Sequence, residues 1–251
     1  MLRSYGDSRL FGEAYGSSGA RVIWLHGWGR SAQDFTLAAN ALAERGIGSV
    51  ALDLPGFGAS PTPEVAGGAR HYAELILPSL REIASEPVVL VGHSFGGRVA
   101  VVVANEHPEL VHSLVLTGVP QLVRVRSSSR APLAYRSVRW LAKRHLVSEA
   151  RLEAARQKYG SADYRQAHGV MRDVLVASVN ESYEPELTGL TVPVSFVWGE
   201  RDREAPYAVA TSAAALVTSP TTLRELAGVG HFVPLEAPDA LVDAAEKALR
   251  P

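Results

Sequence analysis

The 251-residue chain is 47% hydrophobic and 20% charged, enough to bury a sizeable core as one domain without disulfides or structural metal. Its 25 Lys and Arg balance 26 Asp and Glu, so it offers no net attraction to nucleic acid or to an anionic membrane, and a neutral small molecule is the expected partner. The absence of cysteine excludes disulfides, thiolate metal sites and a cysteine nucleophile.

Met1 to Gly19 mixes Arg3, Asp7, Arg9 and Glu13 with scattered glycines and lacks the apolar stretch of a signal peptide, which predicts a cytoplasmic protein. No stretch approaches the ~18 uncharged apolar residues of a membrane span. Nearly continuous β-branched runs at Arg21–Leu25, Gly48–Leu52, Pro87–Val91, His112–Leu116, Val192–Trp198 and Thr221–Leu226 predict strands, most of them buried on both faces. Helical spacing between them covers Ala32–Arg45, Ala69–Ala84, Phe95–His107, Pro206–Leu216 and Pro238–Leu249. The alternation predicts an α/β fold with a mostly parallel sheet covered on both sides. It breaks between about Pro120 and Leu187, where helices are expected near Pro132–His145, Ser148–Tyr159 and Tyr164–Val179. That insertion carries 12 Lys and Arg against seven acids, which fits a solvated face of amphipathic helices or a guide for an anionic substrate.

Gly92-His93-Ser94-Phe95-Gly96 joins a buried-strand pattern to a helical one, the strand–turn–helix setting of a G-x-S-x-G nucleophile elbow. Ser94 is the candidate nucleophile, with a helix-capping serine as the alternative. A serine hydroxyl needs a base. Among eight histidines, His231 stands out in Gly228-Val229-Gly230-His231-Phe232-Val233-Pro234, a shaped loop after the last expected strand. His107, His112, His145 and His168 read as surface residues remote from sheet-end loops, and His93 as a packing residue. The base needs an acid to hold its tautomer. Asp202, one short turn past Val192–Trp198, is the choice; Glu200 and Glu204 are left to pair with Arg201 or Arg203. Attack on a carbonyl calls for oxyanion donors, expected from the backbone N–H of Phe95 and of Trp28 in His26-Gly27-Trp28-Gly29. Trp28, Phe95 and Phe232 are the candidate substrate-binding residues.

With these motifs in order, the chain resembles the α/β-hydrolase superfamily over almost its whole length. Asp53-Leu54-Pro55-Gly56-Phe57-Gly58 also looks like a family turn, with Asp53 structural. The resemblance implies an eight-stranded core formed by residues 1–119 and 188–251, and a helical cap at 120–187 inserted after the sixth strand. It favours Asp202, which stands in the family's Trp-Gly-x-x-Asp context, and it implies no cofactor and no metal. The expected function is a carboxylesterase acting on small or medium acyl groups. The alternatives are a carbon–carbon bond hydrolase or a menaquinone-pathway-type lyase, hinted at by Ser94 to Arg98 and testable at Arg124 and Arg126, and a non-catalytic ligand receptor. The oligomeric state stays open.

Overall fold

The computed structural model describes residues 1–7, 9–123, 138, 140–142, 144, 146–159 and 162–250. Arg124, Arg126, His145 and most of the helix expected over Pro132–His145 lie outside the described residues.

Eight strands, β1 (Leu2–Tyr5), β2 (Leu10–Tyr15), β3 (Ala20–Leu25), β4 (Gly48–Asp53), β5 (Val88–His93), β6 (Val111–Thr117), β7 (Val194–Gly199) and β8 (Thr221–Leu226), form one sheet in the order β1-β2-β4-β3-β5-β6-β7-β8. β2 runs antiparallel to β1 and β4, and every other neighbouring pair is parallel. All six strands expected from the sequence are present, within two residues at either end. β1 and β2 complete the eight strands that the resemblance implies, but the residue pattern does not place them. Three of the four β1 residues are exposed, and Tyr5 and Leu10 are the hydrophobic residues that this hairpin buries, so no continuous apolar run marks it.

The β-pleat sends alternate strand residues to opposite faces. Val22, Trp24, Val89, Val91 and Val115 pack with α1 (Thr36–Glu44) and α10 (Pro238–Ala248). Ile23, Leu25, Leu90, Leu114, Leu116 and Phe196 pack with α2 (Ala69–Ile83), α3 (Phe95–Glu106) and α8 (Tyr207–Ala214). The first expected helix divides into a 3-10 turn (Ala32–Phe35) and α1, with Phe35 stacked on Trp24 at 5.1 Å.

Between β6 and β7 the chain forms α4 (Glu149–Tyr159), α5 (Ala162–Gln166), α6 (Gly169–Ser178) and α7 (Glu184–Gly189). The single helix expected over Tyr164–Val179 is therefore broken, at Ala167-His168, before a glycine with φ 53°. Arg98, buried on α3, donates from Nε to Pro120 O at 3.0 Å and from Nη1 to Ser178 O at 3.1 Å. One guanidinium thus ties the start of this segment to the end of α6. No helix among the described residues is long and apolar enough to cross a membrane. α9 (Val233–Glu236) is a single turn ahead of α10.

Candidate active site

Ser94 is the one residue between β5 and α3, and its backbone sits at φ 51°, ψ −114°. Such a conformation costs a non-glycine residue of order 1–3 kcal/mol and persists only where its surroundings impose it. Here Ser94 N donates to Thr117 O at 3.0 Å and Gly96 N donates to His26 O at 3.0 Å, tying the turn to the ends of β6 and β3. The flanking glycines are required by crowding. A Cβ at position 92 would stand 2.7 Å from Gly97 N, and one at position 96 would stand 2.6 Å from His26 O.

His231 and Asp202 come from the loops after β8 and β7 and meet in a buried hydrogen bond, Nδ1 to Oδ2 at 2.8 Å. Asp202 Oδ1 accepts Glu204 N at 2.9 Å and Ala205 N at 2.8 Å, while Trp198 Nε1 donates to Ala205 O at 2.7 Å and holds that loop in place. An ionised carboxylate only accepts, so Nδ1 carries the proton and Nε2 of the neutral ring presents a lone pair. The His231 loop is bound on several sides. Glu236 accepts Gly230 N at 2.7 Å and Phe232 N at 3.0 Å. The ring also lies over Gly118 (φ 57°), where a Cβ would stand 3.2 Å from His231 Nδ1. Gly118 follows the residue that anchors Ser94, so imidazole and serine turn share one support. Among the described residues no hydrogen bond joins Ser94 Oγ to His231; Nε2 faces Glu204 Oε2 at 3.4 Å.

The other two carboxylates of this loop do not take the surface ion pairs expected for them. Glu200 Oε2 accepts Gly228 N at 2.7 Å and bridges the acid and histidine loops, and Glu204 reaches His231. The sequence pattern offers Glu204 only as a surface carboxylate and does not mark Gly118.

His93 does more than pack. Its Nε2 bonds His231 O at 3.0 Å, so Nε2 is the protonated nitrogen, and Nδ1 is left buried without a partner among the described residues, facing Gly27. Burial drives its pKa down to about 3, reinforced by the neighbouring His231. His26 is fixed in the opposite tautomer. Leu54 N donates to its Nε2 at 3.0 Å, so Nδ1–H faces Gly27 O at 2.7 Å, and burial lowers its pKa. Gly27 lies against the serine, since a Cβ there would be 3.2 Å from Ser94 Cβ. The next peptide carries the Trp28 N–H, which has no backbone acceptor among the described residues, and Phe95 N–H opens α3 without an intrahelical acceptor. Asp53 has the structural place expected for it, accepting Ala32 N at 2.7 Å and Ala59 N at 2.8 Å.

Trp28 and Phe57 form one wall of a cavity of about 250 Å³, and Gln166, His168 and Met171 from the β6–β7 segment form another. Trp28 thus lines a cavity, but Ser94 and His231 are not among the residues that line it. The Phe95 ring does not line it: 2% exposed, it is packed edge-on between Trp28 (5.7 Å) and Tyr72 (4.9 Å), backing the wall because its helix position turns it into the core. Phe232 stands beside the histidine, 5.3 Å from its ring, with the Arg30 guanidinium over the Phe232 ring at 5.3 Å. His168 is exposed, as expected, yet it belongs to the cavity because α5 and α6 return over the core loops.

The model of the alpha/beta hydrolase family matches residues 22–244. The uncharacterized hydrolase YugF of Bacillus subtilis is 25% identical over 254 residues, covering 92% of this chain and 91% of that protein. The esterase Rv0045c of Mycobacterium tuberculosis is 38% identical over 106 residues, covering 42% of this chain and 35% of the esterase. In fold, the chain is similar to a serine hydrolase involved in carbazole degradation, the CarC enzyme, with a TM-score of 0.72 over 99% of this chain and 98% of that one at 19% identity.

Gly96→Ala is expected to lower the thermal midpoint by about 5 °C, because overpacking against two carbonyls costs about 1–3 kcal/mol; a calorimetric scan measures it. His93 gives a pH signature. It stays neutral in the folded protein down to about pH 3, whereas the unfolded chain protonates it near its ordinary 6.5. Its contribution to stability is complete above that ordinary value and drains away as pH falls from there towards 3. Urea midpoints should therefore fall less steeply with acidification in His93→Gln, which removes the titration, than in the wild type.

Proposed function

Because the chain belongs to the alpha/beta hydrolase family, we propose that it is a serine hydrolase cleaving carboxylic esters of small or medium-sized substrates through an acyl-enzyme. Ser94 Oγ attacks the ester carbonyl while His231 Nε2 takes its proton. Asp202 holds the imidazole by Nδ1 and stabilises the imidazolium that forms. The tetrahedral oxyanion takes hydrogen bonds from Trp28 N–H and Phe95 N–H, each worth about 10²–10³ in rate. The carbonyl then re-forms, the bond to the leaving alcohol breaks, and Nε2–H protonates the leaving oxygen. Water, deprotonated by the same nitrogen, hydrolyses the acyl-enzyme and restores Ser94.

The observation that carries this reading is the buried Asp202–His231 contact at 2.8 Å above the residue that follows Ser94's anchor. The esterase among the relatives supports ester chemistry. The cavity of about 250 Å³ lined by Trp28 and Phe57 adjoins the loop that carries the proposed Trp28 donor.

A fluorophosphonate probe is expected to label the wild type and not Ser94→Ala; equal labelling of both overturns the assignment of the nucleophile. Asp202→Asn is expected to reduce kcat for p-nitrophenyl acetate by about 10⁴-fold with little change in KM. A near-normal rate in that variant would remove Asp202 from the mechanism.

A further inference from the structure

His231 stands between two carboxylates of different character. Asp202 is wholly buried and saturated, with Nδ1 and two backbone N–H groups on its oxygens. Glu204 has a side chain 63% exposed and reaches Nε2 at 3.4 Å from the solvent side. With the proton on Nδ1, a neutral ring offers Nε2 only as an acceptor, so it makes no hydrogen bond to the carboxylate that faces it. The proposed reaction puts a proton on Nε2 and then hands it to the leaving oxygen, which must come within about 2.6–3.2 Å of that nitrogen. The leaving oxygen therefore passes within about 6.5 Å of the Glu204 carboxylate, whatever the direction of approach.

The cations nearby do not cancel this charge. Arg30, over Phe232, is bound to Asp34 through Nε at 2.8 Å and Nη2. Arg201 lies along Gly228, at the start of the histidine loop. His93, stacked on His231, is held neutral by burial. Among the described residues Glu204, next to Arg203 in sequence, has no ion pair with an Arg or Lys, and it faces Nε2 as a solvent-exposed carboxylate.

We infer that Glu204 selects the leaving group by charge, favouring alcohols that carry a cation and disfavouring those that carry an anion. The inference rests on the proposed serine mechanism and deepens it by naming a class of leaving group. Glu204 acts on the departing alcohol and takes no part in bond making. During acylation the bond from Ser94 Oγ to the acyl carbon forms, the ester C–O bond breaks, and the alkoxide receives the Nε2 proton as it passes Glu204.

Acetylcholine and 3,3-dimethylbutyl acetate share an acyl group and nearly the same shape and differ by one positive charge. At low ionic strength the kcat/KM ratio of cationic to neutral ester is expected to be about fivefold in the wild type, modest because the carboxylate is exposed. It should fall to near one in Glu204→Gln, drop below one in Glu204→Lys, and shrink in the wild type at about 0.5 M salt. A wild-type ratio of one, or a ratio that survives Glu204→Gln, overturns the inference. Failure to hydrolyse either ester also overturns it, and turnover of p-nitrophenyl acetate in the same preparation would leave the Ser94 reading standing. Loss of that turnover together with fluorophosphonate labelling would show that the serine mechanism itself had failed.

Discussion

Ser94 can occupy the left-handed region only while neighbouring backbones leave it no other. The N–H of Ser94 is held by Thr117 at the end of β6, and the N–H of Gly96 by His26 just past β3. These bonds unite three adjacent parallel strands at their C-terminal ends, where open α/β sheets gather their functional loops. The loops after β7 and β8 complete the ring through the Asp202–His231 pair. The strain in one residue is thus sustained by the register of the whole sheet.

Three histidines at this end of the sheet each have a tautomer dictated by their neighbours. Leu54 N–H requires a lone pair on His26 Nε2, His231 O requires a proton on His93 Nε2, and Asp202 requires a proton on His231 Nδ1. Of the three, His231 presents its remaining nitrogen to a partly open carboxylate, whereas the spare nitrogen of His93 is sealed in. Burial disfavours the charged form of the first two.

The central sheet was legible because strands buried on both faces must be almost continuously apolar, and the elbow because a strand, a serine and close-set glycines come in one short run. Asp202 and His231 were legible by position, each just beyond a strand. β1 and β2 escaped because an exposed hairpin needs little apolar surface. Glu204 escaped because a charged residue in a polar loop looks like any solvated carboxylate, and its meeting with His231 depends on Trp198 and Asp202 bending that loop. The cavity wall at His168 and Met171 depends on how α5 and α6 return over Trp28, a tertiary event that no local period encodes.

Arg98 gives the segment between β6 and β7 a particular freedom. Its guanidinium clasps Pro120 and Ser178, so the roughly sixty residues between them form a closed loop, and closure entropy grows only with the logarithm of loop length. Doubling such a loop costs about 0.6 kcal/mol. The clasp stands one helical turn from Ser94, on the same helix. The loop is also held between its two ends, where the Tyr72 hydroxyl meets Met171 Sδ at 3.8 Å and Trp28 packs with Tyr164 and Ala167. A change in the length of this loop is therefore cheap for the clasp and costly only where the loop packs back over Trp28 and Tyr72.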